Sequence, residues 1–434
     1  MDWVELLMLI GVWAALGAAG LLVFSQGFGG RSIFSLSLIV YVAGFMVRAV
    51  LIMLNEEWQF FEQKVAGELS LELYRAHVLT GDSWFEFLGH EFAPQVLLNI
   101  PVWTLFGESR IALLMSNAMV GAIAGPMSAV LLLRDYHPSV SKRALLLVSL
   151  YPACLNFSVF GLRDPIIFLG MIFLICGAVR IWADKVTLGN LFQMFLGTLL
   201  VLCSRPELAY VVIVVFMLPV MNGYVNLMNA SRRSKRAFGS LMALTLPALA
   251  CAALLVVAAT GLAARNIGAK TINPSEIASK NAMERFERHD SATGGGSHMI
   301  PGALYQLLPW YLRVPVQTAG LIMLPFPWAV NSVSKLLAFG DSIYLILVGM
   351  FAFVNVYYSN PISKSGFGRL TLFLLLIAFI GFLGLAFVDS NFGNGFRVRF
   401  AVTPVILLAG SICPLRVRIN VVAAKPARRL AQAA

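Results

Sequence analysis

Five arginines stand where an apolar chain has little reason to put them. Arg48 interrupts the run "VAGFMVRAVLIML", and Arg163 precedes Asp164 in "FGLRDPIIF". Arg205 precedes Glu207 in "CSRPELAY", and Arg397 and Arg399 alternate in "NGFRVRFAVTP". A guanidinium stays charged and donates two parallel hydrogen bonds from a planar fork, which suits a phosphate. Ionisable groups at membrane depth are candidates for function by default. Two carboxylates, Glu56 and Glu57, follow directly on the run that holds Arg48. A carboxylate so placed could take the proton from an acceptor hydroxyl as it attacks, an effect worth roughly 10²–10⁴ in rate. The arginines would stabilise the negative charge that grows on a departing lipid phosphate.

The elements that must carry these residues are membrane helices. Hydrophobic residues make up 59% of the 434 and charged residues only 12%, and the mean hydropathy is +0.82. A soluble chain carries about twice that share of charge. Apolar runs of about 20 residues recur, each long enough to cross a ~30 Å hydrocarbon core. The pattern predicts an all-α, polytopic transmembrane bundle of eleven spans: 4–24, 33–53, 109–133, 143–160, 165–183, 189–204, 207–228, 237–262, 332–358, 369–388 and 396–415. The first of these reads as a retained span, because acidic residues stand where a signal peptide is basic. Residues 1–418 then form one transmembrane domain, followed by a basic tail, 419–434.

Charge orients the bundle. "RDYHPSVSKR", "ASRRSKR" and the C-terminal tail are basic and read as cytoplasmic. The N-terminus is then outside and the C-terminus inside a bacterial inner membrane. The long loops 54–108 and 263–331 lie outside, and with them all five arginines. Leucines and aromatics at helical spacing predict an amphipathic helix in the first loop, and Ser83 with Glu86 a capping box. The proline-rich stretch 307–328 reads as re-entrant or interfacial. The glycines of "NFGNGFRVR" predict an extended segment, in which Arg397 and Arg399 project to the same side.

Each residue has a structural reading as well. Asp164 ahead of Pro165 suits a helix start, and Glu207 suits a first helical turn. Arg48 could snorkel or pair with a carboxylate. Glu56 and Glu57 after Asn55 fit any helix dipole.

The order of parts resembles the GT-C superfamily of polytopic glycosyltransferases. It comprises "NEEWQFF", an amphipathic loop, "IPVWTLFGESRIALLMSNAMVGAI", "YPACLNFSVFGLRDPIIF", "LPFPW" and "NGFRVRFAVTP". The resemblance implies a polyprenyl-phosphate-linked sugar donor and a glycan acceptor on the extracytoplasmic face. It implies a catalytic carboxylate at Glu56 or Glu57, and lipid phosphate held by Arg163, Arg205, Arg397 or Arg399. Two other functions would use the same arginines: a polymerase of lipid-diphosphate-linked repeat units, as in O-antigen assembly, and a transporter or flippase of such lipids. Either enzyme could work beside other glycan-assembly proteins. Charge confined to one face, with no mid-span carboxylate, argues against transport.

The sequence has no P-loop and no Rossmann glycine fingerprint. The formal charge of +11 reflects basic loops rather than a nucleic-acid partner. No cofactor is indicated. The outer carboxylates could hold a divalent ion, but the five scattered histidines show no metal spacing. The five cysteines fall in apolar runs as small hydrophobes.

Overall fold

The computed structural model describes residues 3–27, 31–54, 68–80, 92–133, 138–159, 163–182, 186–205, 208–219, 310–323, 325, 330, 333–358, 367–388 and 392–412. Among these residues every regular element is helical. A first hairpin pairs α1 (Trp3–Gly27) with α2 (Arg31–Leu54); α3 (Ala93–Phe106) and α4 (Arg110–Leu133) follow. Then come α5 (Pro138–Ser149), α6 (Pro152–Val159), α7 (Asp164–Trp182) and α8 (Leu188–Ser204). A short apolar helix, α9 (Ala209–Pro219), ends this half. The second half holds α10 (Trp310–Met323), α11 (Val333–Tyr358), α12 (Phe367–Val388) and α13 (Phe392–Ile412).

Six of these helices are long and apolar enough to cross a membrane: α1, α2, α4, α7, α11 and α12. The 25 residues of α1 reach about 37 Å at 1.5 Å per residue, enough for a ~30 Å core with some tilt. The chain therefore has the build of a multi-pass membrane protein. Helices α4 and α7 are its centre, with nearly all of their residues buried, whereas α1 is mostly exposed and presents its apolar side chains outward. Apolar surface turned outward on such a helix suits lipid.

Without a hydrophobic force between helices in lipid, close packing must hold them together. Helices α7 and α8 touch through glycines. A Cβ at Gly197 would come 2.5 Å from the Leu174 nitrogen, and one at Gly170 3.1 Å from the Gly197 oxygen. Side-chain hydrogen bonds add to this. Asn99 of α3 donates to Ser116 of α4 at 2.9 Å, and Tyr210 donates to the Gly381 carbonyl of α12 at 3.0 Å. Gly107 makes the α3–α4 turn at φ +79°, a conformation that favours glycine.

The span expected over 143–160 is two helices. Pro152 has no N–H to offer the Val148 carbonyl, and here α5 stops at Ser149. The extended segment expected at Arg397 and Arg399 is also helical, lying within α13. A helix satisfies its own backbone, which an extended strand inside a bundle cannot do unaided. Positions 397 and 399 are then roughly 200° apart around the axis, and the shared projection does not hold. Residues 68–79 of the first long loop are helical. There Tyr74 packs edge-on against Trp103 at 5.0 Å. Arg75 pairs with Glu108, whose hydrogen bond and charge hold that guanidinium above its ordinary range. The Ser83–Glu86 capping box lies outside the described residues.

Candidate functional site

Contacts between helices connect four of the five arginine positions. Helices α2 and α4 pack together, with Gly44 beside Ala122 and Arg48 beside Gly121. The end of α6 meets the same level, since Arg48 bonds to Ser158. Helix α7 starts there, and its Phe168 stacks on Phe400 of α13 at 4.6 Å. Arg205, at the end of α8, pairs with Asp164, at the start of α7. Arg399, two turns into α13, pairs with Asp341 of α11. Glu56, Glu57 and Glu207 lie outside the described residues, as does the side chain of Arg397.

The arginines differ in what they meet. Arg48 is 3% exposed. Its Nε donates to Ser158 Oγ at 2.6 Å, its Nη1 to the Gly44 carbonyl at 3.0 Å, and its Nη2 to Cys154 Sγ at 3.9 Å. Among the described residues no carboxylate pairs with it. A cation buried without a counter-charge is costly, and neutral acceptors offset only part of that cost. Glycines leave the room: a Cβ at Gly121 would lie 2.8 Å from Ser158 Oγ and 3.3 Å from Arg48 Nε. Arg163 is half-buried, with its guanidinium 5.3 Å from the centre of the Phe92 ring, a cation–π placement.

Arg205 and Arg399 are held by carboxylates instead. Arg205 Nη2 lies 3.3 Å from Asp164 Oδ1, with both side chains nearly inaccessible. Arg399 is the most enclosed. Its Nη1 donates to the Leu321 carbonyl at 3.0 Å and to Ser342 Oγ at 2.9 Å; its Nη2 donates to the Ala338 carbonyl at 3.3 Å and to Asp341 Oδ2 at 2.5 Å. A guanidinium has four terminal N–H bonds, and those four acceptors match them. Asp341 also takes the Tyr151 hydroxyl on Oδ2 at 3.2 Å and the Ala153 amide on Oδ1 at 3.3 Å. Tyr151 stacks on Phe168 and Phe400 beside the pair, an apolar wall that excludes water.

Asp341 and Tyr151 are not marked by the sequence reading above. A mid-span carboxylate does exist, which removes the argument that charge lies at one face only. The signal was present in "LLAFGDSIYLIL", a lone Asp in an otherwise apolar helix. Among the described residues no cluster of His, Cys, Asp or Glu could hold a metal ion.

Comparison of the chain with protein-family models, with curated proteins and with solved structures returns no match.

Proposed function

We propose that the chain is a membrane glycosyltransferase that moves a sugar from a polyprenyl-phosphate-linked donor to a glycan acceptor, working at the extracytoplasmic face. The observation that carries this is Arg48, a buried guanidinium with no carboxylate partner among the described residues. A lipid phosphate arriving between helices would supply the missing charge, and charge-assisted bonds to it would be strong. Arg163, exposed in part, is the second phosphate ligand, and Arg397 remains a third candidate. Arg205 and Arg399 hold helices in place through Asp164 and Asp341. Glu56 or Glu57, just beyond the end of α2, acts as the base. A divalent ion is no part of this reading.

A second reading rests on a separate observation. The buried Asp341–Arg399 pair beside an interrupted helix is a feature that transporters share, and it favours transport of a lipid-linked glycan across the membrane. Polymerisation of lipid-diphosphate-linked repeats would use the same arginines and differs in product size.

The test uses the purified chain in vesicles with a polyprenyl-phosphate-linked sugar. Transfer should be lost in Glu56→Gln/Glu57→Gln while binding of the lipid persists, and Arg48→Ala should lose binding. Lys142→Ala, on an exposed residue of α5, should change neither. Transfer that survives the double glutamine change sinks the catalytic assignment. Lipid translocation without any transfer by the wild-type chain would select the transport reading.

A further inference from the structure

Helices α5 and α6 follow one another across a break at Leu150 and Tyr151, and the break creates specific orphans. In an unbroken helix the Leu147 carbonyl would accept from the Tyr151 amide. Here the Tyr151 amide turns to the Val148 carbonyl at 3.4 Å, because Pro152 cannot serve Val148. That releases the Leu147 carbonyl at the end of α5. The Ala153 amide, in the first turn of α6, likewise has no helical acceptor. Orphans of this kind are not tolerated in a bilayer unless protein or water satisfies them.

Helix α11 satisfies both. Tyr344 donates its hydroxyl to the Leu147 carbonyl at 2.8 Å, and Asp341 Oδ1 accepts from the Ala153 amide at 3.3 Å. The two residues are three apart, so they share one face of α11. Asp341 thus sets where α6 begins. Helix α6 has only 8 residues, and Ser158 lies five residues past Ala153, about 7.5 Å along the axis. Over so short a rigid rod, a shift at Ala153 reaches Ser158 and therefore the Arg48 guanidinium bonded to it. Gly125 brings α4 against the break: a Cβ there would stand 2.9 Å from the Ser149 nitrogen. Little slack is left for α6 to adjust.

We infer that Asp341 is a positioning residue for the anion site at Arg48, acting by capping the first turn of α6; Arg399 serves to keep that carboxylate aimed. This rests on the reading of Arg48 as a phosphate ligand.

Two double variants separate the cap from the ion pair. Asp341→Asn/Arg399→Met removes both charges but keeps an oxygen that can accept from Ala153. Asp341→Leu/Arg399→Met removes the charges and the cap together. The readouts are binding of decaprenyl phosphate to the full chain in nanodiscs and amide exchange over residues 152–159. The asparagine variant should bind as the wild type does. The leucine variant should bind about tenfold more weakly, with faster exchange in α6. Ala153→Pro deletes the donor itself in the first turn of α6, where no intrahelical bond is lost, and should match the leucine variant. It decides the matter if the leucine variant fails to fold. Equal binding by all variants overturns the inference, and so does equal weakening by both double variants, which would make the pair, not the cap, the agent. A wild-type chain that does not bind decaprenyl phosphate overturns the phosphate reading first, and this inference with it.

Discussion

Arg48 of α2 and Ser158 of α6 meet at 2.6 Å across a gap that Gly121 of α4 leaves open. Three helices therefore converge on one buried guanidinium whose charge no described carboxylate balances. Stability and binding should part company at this position. Arg48→Met keeps the length of the side chain and removes a desolvated charge, so its melting temperature should equal or exceed that of the wild type, while affinity for a polyprenyl phosphate falls at least about tenfold. Thermal unfolding in detergent and lipid titration on the same preparation check both halves. A variant that loses stability along with binding would mark Arg48 as structural.

Gly121→Val tests the same site from the other side. The added side chain meets Ser158 and Arg48 in a space already filled. Overpacking of this kind costs roughly 1–3 kcal/mol. It should also displace Arg48, so lipid binding should weaken beyond what the stability loss explains. Gly11→Val, on α1 where nothing lies within 4 Å, should be silent in both measurements.

The pair Asp164–Arg205 joins the start of α7 to the end of α8 with both partners nearly inaccessible. Removing one partner of a buried pair is expensive because the other is stranded, typically by about 3–5 kcal/mol. Asp164→Leu should therefore destabilise strongly, and Asp164→Leu/Arg205→Leu should regain much of the loss. A double-mutant cycle followed by urea unfolding reads the coupling. Additive losses would mean that the two residues act independently.

Among the described residues several helix positions were legible from hydropathy alone. The runs 109–133, 189–204 and 332–358 correspond to helices Arg110–Leu133, Leu188–Ser204 and Val333–Tyr358. A long apolar stretch has few options in a membrane, and the helix is the one that satisfies its own backbone. What a scan of span ends could not see was pairing between helices. One Asp among 26 residues barely lowers the hydropathy of α11, so Asp341 passed as part of a span. Its partner Arg399 was read as facing a headgroup because nothing in the local sequence shows what stands across from it. The break at Pro152 was hidden for a similar reason, since apolar residues continue on both sides of it. The glycines before Arg397 suggested extended backbone, but local permissiveness does not outweigh the hydrogen bonds that a helix keeps.

Gly197 offers a last test, this time of the bundle's centre. A Cβ at this position would fall 2.5 Å from the Leu174 nitrogen and 2.6 Å from the Gly170 carbonyl oxygen, both backbone atoms that cannot rotate away. Helices α7 and α8 would have to separate, and α7 also carries Phe168 against Phe400 and Asp164 against Arg205. Gly197→Leu should therefore destabilise by more than the roughly 1–3 kcal/mol of ordinary overpacking and should disturb those contacts at a distance. Gly189→Leu, on the same helix but only 3.9 Å from a flexible Thr187 hydroxyl, should change stability little. Melting temperatures of the two variants side by side decide the point: similar values would show that α7 and α8 do not depend on this close approach.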